Sequence, residues 1–131
     1  MRMMLIAGLF VAAGAAQAKQ DLKDVPFVWN GLLNIGIANE IRETCPSISA
    51  RMVRAALRLN SIQNEAEGMG YSQAEIDAFR KSEANKAAMR AEGEAYMKKN
   101  GVVKGDAETY CALGRAEIAK SSQIGRLLRA N

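Results

Sequence analysis

The chain holds two cysteines, Cys45 and Cys111, and no third. If they pair within the chain only one connectivity exists, and it ties together two points 66 positions apart. Whether they pair is first a question of compartment, and the start of the chain addresses it. Met1–Ala18 has the anatomy of a secretory leader: a basic start at Arg2, an apolar run from Met3 to Ala13, and an A-x-A ending at Ala16-Gln17-Ala18. Cleavage is expected between Ala18 and Lys19, with a periplasmic or secreted destination where disulfides form and persist. The alternative, an uncleaved anchor, is disfavoured because the uncharged stretch is short and rich in Gly and Ala, whereas a spanning helix needs about 20 predominantly apolar residues. A Cys45–Cys111 bridge would close a loop worth roughly 4 kcal/mol in chain entropy; the competing reading is two free thiols.

Residues 19–131 then read as a single helical domain that does not span the membrane. With an apolar fraction of 49% the chain can build a core. It has no run of alternating β-branched residues long enough to argue for a sheet. The punctuation is helical, and the expected fold is all-α, a small bundle of about four helices with one disulfide. A first helix begins near Pro26, carries Trp29, Leu32, Leu33, Ile37 and Ile41, and stops at Cys45-Pro46, because the residue before a proline is pushed out of the helical region. A second, capped by Ser47 or Ser49, has the stripe Ile48, Met52, Ala55, Leu59, Ile62, Ala66, Met69 and reads as a buried face.

Gly70 supplies a left-handed stop, after which Ser72-Gln73-Ala74-Glu75 spells a capping box with Tyr71 and Ile76 placed as a hydrophobic staple. The third helix is expected to run unbroken to Asn100-Gly101. Between Arg80 and Ala95 its only large apolar residue is Met89. That composition predicts an exposed arm or a surface awaiting a partner, supported by acid-first pairs Asp77–Lys81 and Glu94–Lys98. A fourth helix, capped by Asp106, is expected to reach about Arg129, with Tyr110, Leu113, Ile118, Ile124 and Leu128 on its apolar side. On such a helix Gly114, Ser121 and Gly125 would form a smooth ridge for close approach by a partner.

The absence of histidine removes Ser-His and Cys-His nucleophile pairs, His-metal sites and the usual general base near neutral pH. Two distant cysteines make neither a zinc site nor a C-x-x-C redox motif. Gly31 and Gly36 lie within an apolar helix, so no phosphate-cradling loop is present. Glu40 with Glu43, or Glu92 with Glu94, could be offered as acid and base, but solvated helices carry such acids routinely. No catalytic residue, metal or cofactor is expected. Arg51, Arg54 and Arg58 form a basic stripe that could dock an anionic partner, lipid headgroups or an acidic protein surface; the plainer reading is a solvated edge partly neutralised by Glu65. Loss of Arg2 would lower the formal charge from +4 to a mild +3, far from a nucleic-acid footprint.

The stretches Asn30-Gly31-Leu32-Leu33, Glu40-Ile41-Arg42 and Cys45-Pro46-Ser47-Ile48-Ser49-Ala50-Arg51 resemble a family of small uncharacterised exported proteins of Rhodobacter-like alphaproteobacteria. Gly70-Tyr71-Ser72, Ala74-Glu75-Ile76-Asp77 and Tyr110-Cys111-Ala112-Leu113-Gly114-Arg115-Ala116-Glu117-Ile118 are similar to it as well. The resemblance covers nearly all of residues 19–131. It implies a domain of unknown function, with a link to respiratory NADH dehydrogenase genes. The functional expectation is therefore a non-catalytic interaction or accessory protein of the periplasm with a protein partner and no nucleic acid. The alternatives are a small chaperone or inhibitor, and a histidine-free enzyme working through carboxylates.

Overall fold

A computed structural model describes residues 19–131; the expected leader, Met1–Ala18, lies outside the described residues. Helix α1 (Pro26–Thr44) forms the spine, with Pro26 at its first position, and α2 (Met52–Gly68), α4 (Glu83–Lys99) and α5 (Ala107–Ala119) all pack on it. The shorter α3 (Gln73–Lys81) leads into α4, and 3-10 turns occupy Leu22–Asp24 and Gly125–Leu127. All-α architecture is thus present, closed by a Cys45–Cys111 disulfide with a Cα–Cα distance of 5.1 Å.

Local signals act where the sequence places them. Gly70 takes φ +95°, while the amides of Gly70 and Tyr71 reach back to Glu67 O (2.9 Å) and Ala66 O (3.1 Å). The Ser72 hydroxyl accepts from Glu75 N at 3.1 Å, and Tyr71 and Ile76 are buried in one cluster.

Four features differ from the sequence expectation. The third helix breaks at Ser82, whose extended backbone (ψ 117°) ends α3 and whose hydroxyl caps α4 at Asn85 N (3.2 Å). Asn85 Nδ2 also donates to Phe79 O, so one residue serves an orphan carbonyl of α3 while its own orphan amide at the start of α4 is taken by Ser82. Helix α4 is no arm. Gly93 and Met97 are buried, and a Cβ at Gly93 would stand in ordinary contact, 3.6 Å, with Leu33 and Ile37, so α4 lies directly on α1.

The fourth helix stops at Ala119 rather than near Arg129, with Ser121 at φ 50°, and the chain folds back. Its last residues form β2 (Leu128–Ala130), antiparallel to β1 (Ile48–Ala50), pairing Ile48 with Ala130 and Ala50 with Leu128. Strands this short carry no legible alternation. Consequently α2 starts only after Arg51 and has no side-chain cap; Ser49 Oγ instead bonds Asn131 Oδ1 at 3.0 Å.

Two apolar clusters result. One joins Ile37, Ile41, Cys45, Ile48, Met97, Cys111, Leu113 and Leu128, and the other joins Val25, Val28, Ile62, Tyr71, Ile76 and Phe79; Ile35 packs against both.

Candidate functional site

The disulfide joins the C-cap of α1 to the second turn of α5 and sets the helices close together. One turn on, a Cβ at Gly114 would fall 2.3 Å from Ile48 Cδ1 and 2.9 Å from Ile41 Cγ2. The small residue here admits the chain's own side chains, not a partner. At Gly125 a Cβ would lie 2.0 Å from the Glu117 carbonyl oxygen, while Ser121 is exposed on the turn between them. The expected Gly114–Ser121–Gly125 ridge therefore does not exist, because it required a helix that continued past Ala119.

Beside that fold-back lies a group the sequence reading passed over. Glu117 is fully buried, and its Oε1 accepts from Tyr96 Oη (2.5 Å) and Lys120 Nζ (3.2 Å), its Oε2 from Ser122 Oγ. Burial alone would raise the Glu117 carboxyl, but the hydrogen bonds from Ser122, Tyr96 and Lys120 and the lysine's charge outweigh it and hold the group below its ordinary value. Burial, that same hydrogen bond and the carboxylate's charge push the Tyr96 phenol up to about 12. Ser122 Oγ also accepts from Gly125 N at 3.0 Å, so the glutamate organises the turn that feeds β2. The available signal was its place on the stripe Tyr110, Leu113, Glu117, an acid at apolar spacing.

The basic stripe of α2 is divided between tasks. Arg51 Nε donates to Leu128 O at 3.0 Å and braces β2. Arg54 Nη1 donates to Arg126 O at 3.3 Å, and the Arg58 guanidinium lies 4.7 Å over the Phe27 ring. Arg54, Arg58 and Arg126 line one cavity of about 250 Å³ with the amides Asn34 and Gln123.

The stripe on α2 is only partly buried: within the helix Ile62 and Ala66 are buried, whereas Met52 and Leu59, with Met69 just past its end, are 67, 44 and 47% exposed, and off the stripe Val53 and Leu57 are 75 and 63% exposed. Met52 and Leu59 also form one wall of a trough of about 470 Å³ whose floor is Leu32 and Ile35 of α1 and whose far wall is Met89 of α4. Arg42, Arg80 and Lys86 line it too, and no carboxylate does.

The acids singled out in the sequence are placed as follows. Glu92 accepts from Trp29 Nε1 at 2.7 Å, so the tryptophan anchors α4 on α1, with Phe79 edge-on at 6.3 Å. Glu43 joins Arg42 and Asn39; Glu94 pairs with Lys104 rather than Lys98, and Asp77 accepts from Gln73. Lys19, the residue after the expected cleavage point, holds Gly70 O and both oxygens of Glu75. Among the described residues no cluster of three or more metal-ligating side chains occurs, and no helix is long and apolar enough to cross a membrane.

No curated protein and no solved structure is similar enough to this chain to match it. Residues 20–129 match the model of a family of unknown function (DUF5333), and the chain belongs to that family.

Proposed function

We propose that this protein is a non-catalytic accessory protein, exported by its cleavable leader to the periplasm or beyond, that holds a protein partner on the first three turns of α2. The observation that carries the reading is the exposure of Val53 and Leu57, with Met52 and Leu59 also more than two-fifths exposed, on a helix whose core contacts at Ile62 and Ala66 lie on the side away from Val53 and Leu57. Exposed apolar patches of this kind mark interaction sites in soluble domains. From Arg51 to Asn64 the helix carries three arginines and no acid, which favours a partner surface that is itself apolar with acidic margins. The disulfide and the leader pattern support an oxidising compartment.

The test is recovery of partners on the tagged protein from its own cells, with the mature N-terminus read by mass spectrometry. One stoichiometric partner lost in a Val53→Ser/Leu57→Gln double variant is the expected result. A partner retained by that variant would place the interface elsewhere, and a broad stress-dependent client set would replace the accessory reading with a chaperone.

A further inference from the structure

Arg54 and Arg58 come from α2 and Arg126 from the C-terminal fold-back, 68 or more positions later, yet all three line one cavity of about 250 Å³. Guanidinium groups do not deprotonate in proteins, so three positive charges are permanently gathered there. No carboxylate lines the cavity. Among the described residues none of the three makes an ion pair, whereas Arg42 and Arg115 do, with Glu43 and Glu108.

Arg54 and Arg58 are each held in place without being neutralised. Arg54 donates to the Arg126 carbonyl, and Arg58 stacks over Phe27, with Nη2 only 3.4 Å from where a Gly31 Cβ would stand. Asn34 Nδ2 donates to Gln123 Oε1 at 2.9 Å, which fixes the Gln123 amide and leaves its Nε2 as a spare donor at the same cavity.

We infer that this cavity is an anion site for a phosphoryl group, free or carried on a lipid headgroup. A carboxylate has two oxygens and one charge; three guanidinium forks and an amide offer more donors and more charge than it can use. A phosphate dianion supplies both, and planar guanidinium forks bind phosphate oxygens in pairs. The site differs from the basic stripe legible in the sequence: Arg51 is turned away to Leu128, and Arg126 takes its place. It does not rest on the protein-partner reading, which concerns Val53 and Leu57 on another side of the helix.

The probe is inorganic phosphate at constant ionic strength, followed by calorimetry and by the arginine Nε–H signals of the unsubstituted protein. Saturable binding at or below about 1 mM, with the Arg54, Arg58 and Arg126 signals moving and Arg90 still, is expected. Arg54→Ala and Arg126→Ala, each at an exposed side chain, should weaken it by about tenfold to a hundredfold. Vesicles containing phosphatidic acid, whose headgroup is a phosphomonoester, compared with phosphatidylcholine, separate the sources: vesicle binding that both alanine variants lose assigns the headgroup, and phosphate binding without it assigns a dissolved ligand. No saturable response to either probe, or one indifferent to both variants, would overturn the inference. The Val53→Ser/Leu57→Gln protein should bind phosphate normally, so this site and the partner surface fail independently.

Discussion

The α1–α5 seam and the first half of α2 treat small and apolar residues in opposite ways. At the seam a covalent bridge, a glycine too crowded for any Cβ, and a fully buried glutamate with three side-chain partners determine the same geometry. On α2, four large apolar side chains stand between 44 and 75% exposed, although two of them, Met52 and Leu59, have a spacing that would suit a core. A fold that needed α2 only for packing would have no use for them. The contrast separates residues that hold this molecule's shape from residues left over once the shape is complete.

The largest expected effect tests the first half of that contrast. Reducing the disulfide, or replacing both cysteines with serine, should remove roughly 4 kcal/mol of stability, a fall in melting temperature of well over about 10 °C. Hydrogen exchange should show the loss first in α5 and the β1–β2 pair, with Ile62 and Ala66 in the other cluster protected longer. A uniform loss across both clusters would mean that the two regions unfold as one unit, and the comparison would dissolve.

A smaller effect is expected at Glu117. Glu117→Ala leaves the Tyr96 and Ser122 hydroxyls without their acceptor and should cost about 1–3 kcal/mol. The Lys120 contribution is discounted, since that side chain is 57% exposed. The pH dependence has a definite sign at each end. Glu117 titrates lower in the folded chain than unfolded, so its contribution is present above the unfolded value and fades as pH falls through the depressed folded one. Tyr96 is raised, so its contribution is full below pH 10 and is lost as pH rises toward about 12. Tyr96→Phe should flatten the alkaline limb of a stability–pH curve; an unchanged limb would show that the phenol is not coupled to folding.

What the sequence made legible follows the same division. Signals confined to a few neighbouring residues survive into the structure: Pro26 opening α1, Gly70 closing α2, the Ser72–Glu75 capping pair, and two cysteines with one available pairing. Readings that assumed a helix would continue did not. Ser82-Glu83-Ala84-Asn85 lacks the glutamate of a capping box, so the break between α3 and α4 was hidden in alanine-rich sequence of high helix propensity. Extending helical periodicity past Ala119 aligned Gly114, Ser121 and Gly125 on paper and concealed the fold-back that places Gly125 on the Glu117 carbonyl. The anion site was half visible, because Arg54 and Arg58 share a helix whereas Arg126 joins them only through long-range packing. Apolar spacing on α2 reported a stripe correctly but could not say that Ile62 and Ala66 alone would find cover.

The smallest expected effect is the one that most sharpens the comparison. Val53 and Leu57 are 75 and 63% exposed, and serine and glutamine have helix propensities close to those of the residues they would replace. Val53→Ser/Leu57→Gln should therefore leave stability within about 0.5 kcal/mol of the parent in a denaturant melt. Ile62→Ala, two turns along the same helix but 4% exposed, should cost about 2–5 kcal/mol, because it opens a cavity in the cluster with Val28 and Phe79. The two outcomes together distinguish a surface reserved for binding from one that is merely badly packed. If the double variant instead lost more than about 1 kcal/mol, those side chains would be closing against the protein's own surface in solution. The apolar face of α2 would then belong with the α1–α5 seam, as part of what holds the fold together.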